Sequence, residues 1–400
     1  MTLICGWCKY FGKEECKKEK DEFTRPTEFS HACKHFESYL KPTTFVELED
    51  GTLCEQVLNP KYPIPMFCCY DGKEFTYEYK IEGYRPVVKE DIGKNIIGAM
   101  VLFPSEPEEY GSIPELLNEI RQFIHDYVDI PETMEIIYSY YPLLTAIYDK
   151  FSAIYYARFQ GDFGSGKTQA TLTLGYICYK PMIFLGDITP APVFRLIEMF
   201  GGTLVCDEAD IKGDYASEIT KLYNAGAMKG GYVPRCNPNN PKRIDAYKAY
   251  SPKVLGTRFD FPDMALESRC ITTLMQETDR DDIPDHLITP EFEKRALHIR
   301  NKLLMFRFRN YHKVSYKNIE SIRPKLSGLN RRLRQVMLPI FAITPPEEQD
   351  KVLEFLREYN KQLIEARSMT LEGQILEKIA KLINEGRTPV QLDELLLEIN

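Results

Sequence analysis

Apolar and polar positions change rhythm along the chain. Between Lys41 and Pro131 short runs such as FTYEYKI and IGAMVLF predict strands, and SIPELLNEIRQFIHDYV, apolar at every third or fourth position, predicts an amphipathic helix. From Glu135 strand-like and helical runs alternate, as in parallel α/β domains. The apolar stretch from Glu135 to Phe159 predicts a buried helix leading into a strand, AIYYARFQG. KTQATLTLGYICY predicts the next helix. PAPVFRLIEMFGG predicts another, begun by prolines and closed by Gly201 and Gly202. TLVCDEAD and PKVLGT predict further strands. From Thr289 the reading is mainly helical, with breaks at RPKLSGLN and ITPPEEQD. It ends in two amphipathic helices joined at Gly386 to Pro389, a helical hairpin or the start of a helix-turn-helix.

Composition narrows the class. At 400 residues more than one folding unit is expected. The Glu135–Phe159 stretch is interrupted by Pro142, Asp149 and Lys150, too often for a membrane span. The first twenty residues carry no secretory signal pattern, so the expected location is cytoplasmic. A net charge of -8 argues against a protein that coats nucleic acid over its whole surface, but leaves room for a local basic groove or pore. From Lys294 to Arg334 Glu320 is the one acid among many basic residues, which reads either as a solvated helical face or as a surface for a polyanion.

The candidate chemistry starts at GDFGSGKTQA, which matches GxxxxGK[ST]. Gly161, Gly164, Ser165 and Gly166 would let backbone amides wrap phosphate oxygens of ATP. Lys167 would reach the β and γ phosphates, and Thr168 would hold magnesium. Some forty residues on, an apolar strand delivers Asp207 and Glu208 to its carboxyl end. Asp207 is expected at the magnesium, and Glu208 is expected to orient and deprotonate the attacking water.

Cys5, Cys8, Cys16 and Cys33 predict a zinc-binding segment over residues 1–40, with His31 and His35 able to replace Cys33. Zinc would supply the folding energy that so short a segment lacks in core. The other seven cysteines read as small buried hydrophobes.

Together with these two motifs, YSPKVLGTRFDFPDMALESRCITTLMQE resembles the AAA+ ATPases, especially the helicase-like members in replication modules of phages, plasmids and integrated elements. The resemblance covers about Glu135 to Ala342. It implies an AAA+ type P-loop core at 135–285 and a helical lid at 286–345, while the pattern alone predicts a small α+β region at 41–134 and C-terminal helices at 346–400. It implies that Thr257 monitors the γ-phosphate and that Arg269, in ALESRC, is an arginine finger supplied in trans. In GLNRRLRQVMLPIFAI it picks Arg332 as the lid arginine, with Arg331 and Arg334 as alternatives. The expected active form is then a homo-oligomer, most often a hexameric ring. The expected function is an ATP-hydrolysing motor on single-stranded DNA or a DNA fork, a helicase or translocase with a possible replication partner protein. The alternative is a loader or remodeller of protein partners.

The expected channel loop is NAGAMKGGYVPRC, bent at Gly226, Gly230 and Gly231, with Lys229 and Arg235 following phosphates and Tyr232 stacking on a base.

Overall fold

The computed structural model describes residues 40–368, apart from 187, 188, 212, 238, 239 and 315, together with 375, 379 and 380. The four-cysteine segment and the last two expected helices lie outside the described residues.

The strands, in order, are β1 (Lys41–Thr43), β2 (Phe45–Glu47), β3 (Leu53–Val57), β4 (Met66–Tyr70), β5 (Phe75–Glu78), β6 (Tyr84–Pro86), β7 (Tyr156–Gln160), β8 (Met182–Leu185), β9 (Leu204–Asp207), β10 (Tyr232–Asn237), β11 (Asn240–Lys248), β12 (Lys253–Thr257) and β13 (Cys270–Leu274). The longer helices are α1 (Ile113–Tyr127), α2 (Glu132–Ala146), α3 (Lys167–Tyr176), α4 (Pro190–Phe200), α5 (Ala216–Gly226), α6 (Pro290–Asn310), α7 (Arg331–Ile343) and α8 (Gln349–Ser368). At the centre is a five-stranded sheet in the order β13-β7-β12-β9-β8, with every pairing parallel.

Successive side chains of a strand point to opposite faces, and a sheet covered on both faces buries both sets. Ala157, Phe159, Val205, Val254 and Ile271 join a core with α2 and α3. Tyr156, Leu204, Cys206, Leu255 and Cys270 face the other way, into a core with α4 and α5. α2 is buried along nearly its whole length because it lies between this sheet and α7. Its tyrosines hold it to the strands: Tyr138 donates to the Ile271 carbonyl at 3.1 Å and Tyr141 to the Lys253 carbonyl at 2.7 Å.

The N-terminal region forms an antiparallel sheet, β2-β3-β4-β5, and a parallel pair, β1-β6. It shares the central core, since Leu53, Val57 and Met66 belong to the same apolar cluster as α2 and α7. A buried charge network ties three parts of the chain together. Glu55 on β3 meets the Lys180 ammonium at 2.7 Å and the Arg307 guanidinium of α6 at 2.5 Å, while Arg307 also grips both Asp149 oxygens at 2.9 Å. Charges buried this deeply are tolerated only because each is paired.

Three expectations need correction. Cys236, read as a small buried hydrophobe, is exposed on β10. IGAMVLF is not a strand: Gly98, at φ +82°, turns the chain, and Ile97 and Val101 make only isolated bridges. On α6 most of the basic run is paired within the fold, although Lys294 is exposed. Arg295 pairs with Asp126, Lys302 with Glu119, Arg307 with Glu55 and Asp149, and Arg309 with Glu109, while buried Arg300 donates to the Tyr176 carbonyl. The neutralising acids come from segments distant in sequence, which a local charge count does not contain.

Candidate nucleotide site

β7 ends at Gln160 and α3 begins at Lys167, so the glycine loop joins a central strand to a helix N-terminus, where free amides and the helix dipole favour an anion. Gly164 and Gly166 both sit at φ +79°, a left-handed conformation that glycine adopts without strain. A side chain at Gly161 would run into the Met275 carbonyl oxygen, 2.8 Å from where its Cβ would lie. Ser165 closes the turn by donating to the Asp162 carbonyl at 2.8 Å. Lys167 is buried in the loop, its ammonium 3.4 Å from the Asp162 carbonyl oxygen.

The sheet order brings the second half of the site to this loop. β12 lies between β7 and β9, so Thr257 at its end stands between the loop and the acid strand. The Gly161 N–H donates to the Thr257 carbonyl at 3.1 Å, and the Ala209 N–H to the Gly256 carbonyl at 2.8 Å. Thr168 donates through its hydroxyl to Asp207 at 2.7 Å. Asp207 Oδ1, Thr171 Oγ1 and Thr257 Oγ1 are buried with no hydrogen-bond partner. Gly256 makes room for two of these groups: a Cβ there would lie 2.7 Å from Asp207 Oδ1 and from Thr171 Oγ1.

Buried polar atoms without partners are costly, and here three of them border a helix N-terminus and a lysine. That donor set fits a nucleotide with a hard divalent cation. Thr168 and Asp207 supply the oxygens magnesium prefers, and Lys167 and the loop amides supply phosphate donors. Among the described residues no group of three or more His, Cys, Asp or Glu is placed to hold a metal. The zinc expected at Cys5, Cys8, Cys16 and Cys33 falls outside those residues.

Glu208 follows at φ +59°, a left-handed conformation rare for a non-glycine residue, and its side chain is half exposed at the rim. Its Oε1 accepts from Arg258 Nη2 at 3.2 Å. Arg258, Phe163 and Asp210 were not anticipated from the sequence. The one available signal was an arginine directly after Thr257, at the polar end of β12.

Lys167, Thr168, Asp207, Glu208 and Thr257 thus converge at the carboxyl ends of the inner strands. Arg269 does not join them. Its carbonyl accepts from the Tyr156 N–H at 2.9 Å, so it stands where β7 starts, whereas the glycine loop stands where β7 ends, about 15 Å further along at roughly 3.3 Å per residue. Arg269 is buried, donates to the Ala265 carbonyl at 2.6 Å, and leaves its Nε without a partner. Burial, and next the Arg332 charge, lower its guanidinium below the ordinary arginine value. Arg332 is at the start of α7, where its Nη1 donates to Gln335 at 3.1 Å. The turn carrying Arg269 is fixed to the P-loop strand by Glu267, which forms a two-pronged ion pair with buried Arg158 of β7.

The expected channel loop is an antiparallel hairpin, β10-β11. Tyr232 is exposed on it. Lys229 instead donates to the Asp149 carbonyl at 2.6 Å, and Arg235 pairs with Glu218 at 2.8 Å. Lys242 and Arg243 are exposed beside the tip, with exposed Ile244 next to them, and Lys248 is exposed at the far end of β11. Arg243 shares its charge with Asp245. The hairpin leads through buried Ala249 and Ser251 directly into β12, whose far end is Thr257.

Among the described residues no helix is long and apolar enough to cross a membrane. No family model matches the chain, and no curated protein matches it. Among solved structures it is similar to one described as SCCmec type IV Cch, an active helicase, at 11% identity over 91% of this chain and 68% of that one, with a TM-score of 0.40. It is also similar to the C-terminal region of NrS-1, at 12% identity over 85% and 81% of the two chains and a TM-score of 0.32. A third likeness is to the JCV helicase, at 13% identity over 69% and 67% and a TM-score of 0.26. With every one of these scores below 0.5, the site's own geometry has to carry the functional reading.

Proposed function

We propose that this chain is an ATP-hydrolysing, oligomeric motor of AAA+ type that acts on DNA as a helicase or translocase, in the replication of a mobile or viral element. The observation that carries the hydrolase reading is the Thr168–Asp207 hydrogen bond at 2.7 Å beneath a glycine loop, with the Thr257 hydroxyl and Asp207 Oδ1 buried and unpartnered beside it. A protein that only bound nucleotide would have no use for Glu208 at the rim.

In this reading the loop amides and Lys167 hold the β and γ phosphates, and Thr257 contacts a γ oxygen. Thr168 and Asp207 would hold magnesium, which would neutralise phosphate charge. Glu208 accepts a proton from the water whose oxygen bonds to the γ phosphorus. The bond from that phosphorus to the bridging oxygen breaks, and ADP leaves with the electron pair. Arg269 stands too far along β7 to serve its own nucleotide, which favours service to a neighbouring copy, and Arg332 would act on the same neighbour. The hairpin is the part proposed to meet DNA, with Lys242 and Arg243 on phosphates and Tyr232 available to stack on a base.

The test is the steady-state rate of ATP hydrolysis with and without single-stranded DNA, over a range of protein concentrations. Stimulation by DNA, with activity per subunit rising with concentration, is expected. Hydrolysis indifferent to DNA would move the substrate to protein and leave a loader or remodeller.

A further inference from the structure

Arg258 joins the two halves of the site, and the mechanism above leaves it without a task. The Arg258 and Phe259 N–H groups donate to Asp210 at 3.0 and 3.2 Å, and this stitches the start of the loop after β12 to the loop after β9. From that rim Arg258 Nη2 donates to Glu208 Oε1 at 3.2 Å. Its guanidinium carbon lies 3.8 Å from the ring centroid of Phe163, the middle of the glycine loop. The Lys167 ammonium lies 5.6 Å from the same ring, so one aromatic side chain, 75% exposed, is shared by the phosphate lysine and by Arg258. Arg258 Nε is buried and has no partner, which leaves a donor of its fork unused at the edge of the phosphate site.

We propose that Arg258 reads the terminal phosphate in cis. Without a triphosphate it holds Glu208 and rests on Phe163, and a γ-phosphate seated on Lys167 draws the guanidinium away and frees the Glu208 carboxylate for the attacking water. This rests on the reading of the glycine loop as a triphosphate site. The exchange is favourable for a physical reason: an ion pair half open to water is weak, whereas a phosphate carries more charge and matches the planar guanidinium fork with two oxygens. ADP ends one phosphate short of the rim and leaves the Glu208–Arg258 pair closed. Glu208 is then armed only when there is something to hydrolyse. Arg258 is thus a γ-phosphate contact and, through Glu208, a positioning residue.

The test compares binding of ATPγS and ADP, each with magnesium, to the full chain by titration calorimetry. Arg258→Ala should weaken ATPγS about tenfold or more, the usual effect of removing a charge-assisted hydrogen bond, and change ADP by less than about twofold. Arg258→Lys keeps the charge and lacks the fork, so it should lie between, and it serves if the alanine variant folds poorly. Glu208→Gln should tighten ATPγS and not ADP, and that gain should vanish in the Arg258→Ala background, because the pair being relieved is gone. Equal weakening of both nucleotides, no change in either, or a Glu208→Gln gain that survives Arg258→Ala would overturn the proposal. Wild-type chain that binds neither nucleotide would overturn the triphosphate reading itself, and that failure is visible before any variant is made.

Discussion

Lys253 is wholly buried at the start of β12, where its ammonium donates to the Ser251 carbonyl at 2.9 Å and lies 4.5 Å from the centre of the Tyr156 ring. Burial pushes it down to about 7, against which the Cys206 and Cys270 thiols pull only weakly. The unfolded lysine keeps its proton to about pH 10.4. Between those values the unfolded chain binds more protons than the folded one, so folding stability should rise with pH from 7 towards 10 and fall as pH drops back through that window. Lys253→Met should remove about 1.4 kcal/mol per pH unit of that rise and raise stability at neutral pH, read by urea unfolding at pH 7, 8 and 9. An unchanged slope would mean that the lysine stays charged in the fold. At this scale the residues of the candidate site were legible, because GDFGSGKT and the acids of TLVCDEAD hold them in contiguous stretches. Arg258 was not legible, since its partners Glu208 and Phe163 are 50 and 95 positions away and only sheet order brings them to it.

At the scale of elements, β12 is the piece that would join chemistry to movement in the proposed function. It carries Thr257 at one end and grows out of the hairpin foot at the other, so a shift at a bound γ-phosphate would have a stiff strand along which to reach β10-β11. If the hairpin grips DNA, the substitution pair Lys242→Ala and Arg243→Ala should weaken single-stranded DNA binding. It should also flatten the plot of log affinity against log salt, by about 0.7 for each phosphate that is no longer neutralised. An unchanged salt slope would place the DNA-binding surface elsewhere. The glycines of this segment were read as a bend, but the two strands were not, because β10 alternates half-buried and exposed positions without the apolar face that marks a strand. Its stability comes from pairing with β11 and from packing on α4, where Phe194 meets Tyr247 at 4.6 Å between ring centres.

For the whole molecule, the decisive separation is that between the glycine loop and Arg269, at opposite ends of β7. A single copy has the glycine loop at one end of β7 and Arg269 at the other, so under the proposed function the site is expected to be completed by a second copy. Arg269→Ala should bind ATP normally and lose turnover, and mixing it with Glu208→Gln should restore activity, because each variant supplies what the other lacks at a shared interface. Full turnover by Arg269→Ala alone, or no recovery in the mixture, would remove the trans assignment. By itself the sequence determined the parallel α/β class, the glycine loop with its lysine and threonine, and the acids at a strand end. These depend on periodicity and on spacing within a few residues, which the chain displays locally. Only the tertiary structure decided that Thr257 lies between loop and acids, that Arg258 holds Glu208, that Arg269 stands at the far end of β7 from the glycine loop, and that most of the basic residues of α6 are paired from distant segments. Each of these is set by strand order or by partners distant in sequence, and a linear pattern carries neither.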